Sequence, residues 1–182
     1  MSTARLTTTS YVILGLIGLR GPSTSYDLKR AVRRSVGFFW PFPHAQLYSE
    51  PRALVSQGML DVSTEEHGRR RQTFSLTEKG RRALRTWLSE PVTEPMQVRD
   101  VAELKLFFSE LGSEADVLAL AREQVRQHSE RIEVYEDMQE RFRDVDQLAP
   151  RLVPLRLGLR MEHAALDFWN ELLDQEEDRD AS

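Results

Sequence analysis

The sequence contains no cysteine. Disulfides, thiolate nucleophiles and cysteine-bound metals are therefore excluded. Histidine is scarce as well: His44, His67, His128 and His163 are scattered, and no two share one helix face at metal-ligand spacing. There is no Gly-rich phosphate loop, no G-x-S-x-G and no H-E-x-x-H. A hydrolase or transferase therefore fits poorly. The acid pairs Glu65-Glu66 and Glu176-Glu177 lie in polar stretches, where solvated charge is the ordinary reading. No run approaches the roughly 18 apolar residues of a spanning helix. The apolar stretch Tyr11 to Leu19 is short and lacks the flanks of a signal peptide. These absences leave the expectation of a soluble cytoplasmic protein that is not an enzyme and has no metal, cofactor or membrane partner. Its 182 residues suffice for one domain or two small ones, and a 40% apolar, 30% charged composition is that of a globular chain.

Positive charge is scarce only on average. The formal net charge is −4. Residues 1–90, however, hold 14 Lys+Arg against 7 Asp+Glu, a net of +7, while 91–182 hold 11 against 22, a net of −11. A basic half joined to an acidic half points to a polyanion as partner of the first, since phosphates feel the local field and not the overall charge. The crossover coincides with Glu90-Pro91-Val92-Thr93-Glu94-Pro95. The expected organisation is therefore a domain over 1–90, a linker over 91–97 and a second domain over 98–182.

Residues 10–19 are apolar almost all round and predict a short buried helix, ended by Arg20-Gly21-Pro22. Thr24 and Asp27 have capping-box spacing for a helix from Ser25 to about Val36, with Leu28, Ala31 and Val32 inward. The aromatic, proline-rich stretch 37–43 cannot be helical throughout. A third helix fits His44 to Gln57, with Gly58 as its C′ residue. Leu60–Ser63 and Thr73–Leu76 alternate apolar and polar, which predicts a β-hairpin whose tip carries Arg69, Arg70 and Arg71. Thr77 caps the next helix, to about Ser89, with Ala83, Leu84, Trp87 and Leu88 as its inward stripe. Beyond the linker, helices fit 101–111, 113–145 and 155–176, with Ala149-Pro150 and Pro154 expected to break the chain. The fold class expected is mainly α with one small β-hairpin: a winged helix-turn-helix followed by a helical domain.

That order carries a function. The third helix of such a unit lays its outer side chains in a major groove about 12 Å wide, and the hairpin reaches the neighbouring backbone or minor groove. Candidate DNA contacts are Tyr26 and Lys29 on the second helix, His44, Gln46, Tyr48, Ser49 and Arg52 on the third, and Arg69, Arg70 and Arg71 on the hairpin. Gln and Arg can read base edges bidentately, whereas Tyr and Ser more often hold phosphates. The three arginines alternate along a strand edge, so one or two of them are expected to touch phosphate. Alone, an arginine run is ordinarily a solvated loop tip; its place after a helix-turn-helix pattern reverses that reading. The alternative is a winged-helix interaction adaptor that does not bind DNA.

Specific residues now carry a resemblance. They are Tyr11-Val12-Ile13-Leu14-Gly15-Leu16-Ile17, Ser25-Tyr26-Asp27-Leu28, Gln46-Leu47-Tyr48 six residues before Leu54, Gly58-Met59-Leu60, and Phe74-Ser75-Leu76-Thr77-Glu78-Lys79-Gly80. In this order and spacing, residues 8–90 resemble the PadR family of bacterial transcriptional regulators. Val98-Arg99-Asp100, Leu104-Lys105-Leu106-Phe107-Phe108, Leu157-Gly158-Leu159 and Leu166-Asp167-Phe168-Trp169 extend the likeness over 98–173, to the branch with a larger all-helical C-terminal domain. The resemblance implies a homodimer that binds a pseudo-palindromic operator, usually as a repressor and often near its own gene. It also implies release by a small aromatic or amphipathic effector. The chain departs from the pattern at Ser25, often Gly in the family, and at Pro51, usually Leu. A proline inside a regular helix costs about 3 kcal/mol, so the third helix is expected either to kink there or to begin later.

Periodicity gives a separate reason for a dimer. Leu118, Val125, Ile132 and Gln139 are seven apart, as are Ala121, His128, Tyr135 and Phe142, and the two series interleave as a heptad seam. Either a partner subunit or the last helix, packed antiparallel, has to cover it. The dimerisation candidates are Leu118, Ala121, Val125, His128, Ile132, Tyr135 and Phe142. His128 reads as a hydrogen-bonded interface residue and Gln139 as a register-setting one. For an effector pocket the candidates are Trp40, Trp87, Phe107 and Trp169. Trp87, Phe107, Phe108, Phe168 and Trp169 lie on stripes expected to face inward, where ordinary core packing is the competing reading.

Overall fold

In the computed structural model the described residues are 6–40, 43, 45–65 and 70–180, the side chains of 176–180 excepted. They form two compact units, within residues 1–95 and 96–182.

The first unit runs α1 (Thr8–Arg20), α2 (Ser25–Arg33), a 3-10 turn (Val36–Phe38), α3 (Gln46–Ser56), β1 (Leu60–Thr64), β2 (Gln72–Leu76) and α4 (Glu78–Ser89). Both ends of α2 obey local chemistry. Thr24 Oγ1 accepts from the Asp27 N–H at 3.2 Å, and the Asp27 carboxylate accepts from the Thr24 N–H at 3.1 Å, which closes the capping box. At the other end α2 stops at Arg33, three residues earlier than its apolar pattern suggested, because the chain tightens into the 3-10 turn. Gly58 (φ 69°) sits just past α3, where its N–H donates to Val55 and that of Met59 to Leu54. This double bond needs the left-handed backbone that glycine adopts freely.

The strands are antiparallel, with Leu60 opposite Leu76 and Val62 opposite Phe74. The segment before α2 adds one more bridge. Ser23 and Phe74 exchange backbone bonds of 2.9 Å each way, tying the hairpin to the start of α2. One core holds the unit together: Ile13, Leu14, Leu16 and Ile17 of α1 meet Leu28, Ala31 and Val32 of α2, Leu47 and Leu54 of α3, and Leu60 and Phe74 of the hairpin. Each such large side chain contributes about 1.5–3 kcal/mol on burial. α4 is covered less than its pattern suggested, since Leu88 is exposed and Trp87 only partly covered, by Tyr11. Gly80 is obligatory there: a Cβ would lie 2.2 Å from the Met59 carbonyl oxygen.

The second unit comprises α5 (Val101–Phe107), a 3-10 turn (Ser109–Leu111), α6 (Glu114–Phe142), a second turn (Asp146–Leu148) and α7 (Ala149–Asp180). α6 and α7 pack as an antiparallel hairpin, since His128 meets Glu162 and Tyr135 meets Gly158. Pro150 and Pro154 do not break α7. Pro150 lies in the first turn, where its N–H would have no partner, and Pro154 removes a single bond from a 32-residue helix. Two clusters fill the hairpin: Ala102, Ala121 and Trp169 at the open end, and Ile132, Tyr135 and Leu159 nearer the turn.

α7 therefore covers the heptad seam within one chain. Ala121, Ile132 and Tyr135 are buried against it, and Val125 packs beside Trp169. His128 Nδ1 lies 2.6 Å from Glu162 Oε2, and Arg131 reaches the other carboxylate oxygen at 3.5 Å. Leu118, Gln139 and Phe142 are half-buried. Ala121, His128, Ile132 and Tyr135 thus have partners within one chain, a correction to their reading as dimer contacts, while Leu118, Val125, Gln139 and Phe142 keep part of their surface uncovered. The inward expectation fails for three aromatics as well: Phe107, Phe108 and Phe168 are exposed, and Trp169 alone of the second unit's set is buried. α7 is apolar on two opposite faces. Leu155, Leu159, Leu166 and Trp169 point to α6, while Val153, Leu157, Met161 and Phe168 form an exposed stripe.

Candidate nucleic-acid interface

The buried positions of α3 are Leu47, Pro51 and Leu54, spaced as one helical stripe. Pro51 is fully buried inside a continuous helix. It forfeits one bond to the Leu47 carbonyl, and the buried ring offsets that loss. The helix begins at Gln46 and still contains the proline. With that stripe turned inward, Tyr48, Ser49 and Arg52 share an outer face, and Tyr48 is half exposed.

Two of the candidate base readers already hold a partner. Gln46 Oε1 accepts from Thr9 Oγ1 at 3.0 Å, which anchors its amide to α1. Arg52 Nη2 donates to Gln72 Oε1 of β2 at 3.3 Å, so the guanidinium leans toward the base of the hairpin. Glu50, which periodicity gave no reason to single out, accepts from the buried Ser10 hydroxyl at 2.5 Å. Thr9 and Ser10 thereby fix the α3 surface from behind. Pairings between polar side chains 37 and 40 residues apart leave no periodic trace.

The hairpin adds charge. Arg70 takes a left-handed backbone (φ 48°). Arg71 is exposed, and its carbonyl accepts from the Glu65 N–H at 3.1 Å, closing the loop. Arg69 and His44 lie outside the described residues. On α2, Tyr26 is 59% exposed with the Arg30 guanidinium 5.9 Å above its ring, while Lys29 is half-buried. Hydrogen bonds from Thr24 hold the Asp27 carboxyl below its usual range, with Arg71 and Arg30 adding a smaller pull in the same direction. The base of the hairpin and the outer face of α2 are therefore electrostatic neighbours.

The effector candidates are not brought together within either unit. Trp87 stacks on Tyr11 with centroids 4.7 Å apart, and Trp40 is partly exposed. In the second unit Trp169 belongs to the core, which corrects its reading as pocket lining, while Phe107 is 80% exposed beside Phe108. Among the described residues no group of three His, Asp or Glu could hold a metal ion, and no helix is long and apolar enough to cross a membrane.

Comparison with known proteins assigns this arrangement. Residues 13–86 match the transcriptional regulator PadR-like family, and residues 98–176 match the virulence activator alpha C-terminal family. A probable transcriptional regulator of Mycobacterium tuberculosis is 29% identical over 172 residues, covering 84% of this chain and 89% of that one. The negative transcriptional regulator PadR of Bacillus subtilis is 27% identical over 124 residues, 67% of this chain and 68% of its own. The structure of that PadR in complex with operator DNA superimposes with a TM-score of 0.84 at 22% identity, over 93% of this chain and 99% of that one. The virulence activator AphA of Vibrio cholerae superimposes with a TM-score of 0.72 at 26% identity, over 94% and 99%. With the two family matches in chain order on a fold shared along nearly its whole length, the chain is similar to PadR-like transcriptional regulators, over residues 13–86 in its first unit and through the virulence activator alpha C-terminal match over 98–176 in its second.

Proposed function

We propose that the chain is a homodimeric repressor that binds a pseudo-palindromic operator through residues 1–90 and is released by a small aromatic or amphipathic effector. The observation that carries the DNA reading is the outer face of α3, with Tyr48, Ser49 and Arg52 set beside a hairpin whose Arg70 and Arg71 make no ion pair with a described carboxylate. α3 enters the major groove, Arg52 and Gln46 read base edges, and Tyr26, Lys29, Tyr48, Ser49 and the hairpin arginines hold phosphates. In support, the related PadR of B. subtilis has been solved with operator DNA and also with p-coumaric acid. For the dimer, the second apolar face of α7, Val153, Leu157, Met161 and Phe168, is a contiguous exposed stripe of the kind that marks an interface.

The test is duplex binding as a function of salt. Affinity falls steeply for the native chain. Replacing Arg69, Arg70 and Arg71 by alanine makes the slope shallower by about 0.9 for each phosphate that an arginine no longer neutralises. No salt dependence in either protein refutes operator binding and returns the adaptor reading. Pro51 does not count against DNA binding, because it is a fully buried core side chain inside a continuous α3.

A further inference from the structure

The arginines of this protein divide into two populations. Arg81, Arg82 and Arg85 on α4 share the Glu78 carboxylate. Arg126 bridges Glu123 and Glu130, Arg131 reaches Glu162, and Arg141 and Arg143 pair with Asp137 and Glu140. Arg30 and Arg33 of α2 and Arg34, its C-cap residue, belong with the unpaired ones. All three are exposed, and none makes an ion pair with a described carboxylate. Together with Tyr26 they line a polar surface recess of about 540 Å³.

Elementary electrostatics makes this arrangement costly if the recess stays empty. Three like charges around one recess repel. The C-terminal dipole of α2 favours cations in its last turn, but only by about 0.3–1 kcal/mol each, and it does not require them to converge on one recess. A bound anion removes the repulsion. The guanidinium fork matches phosphate geometry, and a recess of this size, open to solvent and walled by arginine and a phenol, suits a tetrahedral oxyanion on a larger body. The place in the fold narrows the occupant. The recess begins at Tyr26, on the helix end tied to the hairpin through Ser23 and Phe74, and Asp27 senses both Arg30 and Arg71. Arg30 and Arg71 therefore both lie within electrostatic reach of the Asp27 carboxylate, which sets the α2 recess near the base of the hairpin.

We infer that Tyr26, Arg30, Arg33 and Arg34 form a second phosphate clamp, which grips the duplex backbone outside the base pairs facing α3. This inference rests on the operator-binding reading and extends it. The clamp is blind to sequence: it sets affinity and register, not base preference.

The experiment measures binding of the full chain to a fluorescent duplex of arbitrary sequence over a range of salt. Four proteins are compared: native, Arg30→Gln/Arg33→Gln/Arg34→Gln, its Lys counterpart, and Arg81→Gln/Arg82→Gln/Arg85→Gln, which removes the same charge from α4. The α2 glutamine triple is expected to lower the slope of log affinity against log salt by about 2 to 3, at about 0.9 per phosphate. The lysine triple is expected to retain most of the slope, and the α4 triple to stay near native. A native-like α2 glutamine triple overturns the clamp while leaving operator binding intact. Equal reductions in the α2 and α4 glutamine triples also overturn it, because net charge then explains the effect. A native chain with no salt-dependent binding removes the operator reading and the clamp together. A fifth measurement addresses free phosphate: if inorganic phosphate raises the native melting temperature at constant ionic strength, and the α2 glutamine triple abolishes that shift but keeps the native duplex slope, the recess is a small-anion site and the clamp is refuted.

Discussion

At the scale of single residues, the interface depends on groups that keep α2 and α3 in place as much as on those that would touch DNA. Asp27 is one. Its folded carboxyl titrates below the ordinary value because Thr24 bonds to the ionised form. The unfolded chain thus binds the proton more readily than the folded one. The stability it contributes is complete above the unfolded pKa, near 4, and is lost as pH falls through the lower folded value. Asp27→Asn should therefore lower stability at neutral pH and flatten the acid limb of a melting-temperature-against-pH curve. An unchanged acid limb would show that the cap does not govern it. Gly80 is another. Gly80→Ala gains about 1 kcal/mol of helix propensity but drives its Cβ into the Met59 carbonyl, so a net loss of about 1–2 kcal/mol is expected, read as a lower thermal midpoint. Arg52→Ala should shift base preference in a selection from random duplex. A hairpin arginine replaced by alanine should instead weaken all sequences alike. If both variants weaken binding uniformly, Arg52 is not a base reader.

At the scale of elements, the sequence made the helices and the hairpin legible because their signals are local. Thr24 and Thr77 announce helix starts, Gly58 a helix end, and the alternation in 60–63 and 73–76 a strand pair. What stayed hidden depends on distant partners. Pro154 resembles a helix breaker until α7 is seen to have 32 residues over which to forgo one bond. The seam of α6 has a period that a partner subunit and an intramolecular α7 would satisfy equally, and only the contacts of Tyr135 with Gly158 and of His128 with Glu162 decide between them. The candidate interface was legible in outline, as α3 plus a basic hairpin. The tethering of Gln46 to Thr9 and of Arg52 to Gln72, and the convergence of Arg30, Arg33 and Arg34, were not. Those depend on how far α2, α3 and β2 are rotated about their own axes, which a hydrophobic pattern fixes only coarsely.

At the scale of the whole molecule, the case for a dimer moves from the α6 seam to the outer stripe of α7. Burying Leu157, Met161 and Phe168 against a second copy would remove an apolar face that a monomer leaves in water. Leu157→Glu/Phe168→Glu is predicted to convert a dimer to a monomer in light scattering at micromolar concentration, with helical content unchanged. In the native chain, selection from random duplex should return two half-sites about one helical turn apart. A native monomer, or a single half-site, would remove the homodimer from the proposal.

The hairpin of α6 and α7 has a further consequence for the gene. Its side-chain pairs mirror one another about the turn at Asp146–Leu148, so those farthest apart along the chain close its open end, where Trp169 meets Ala121 and Ala102. A stop codon or frameshift just before the codon of Trp169 would thus act like a zip undone from its open end. The first cluster to come apart would be the one that seats α5, while the neighbourhood of Tyr135 and Leu159, near the fold-back, would keep its packing longest.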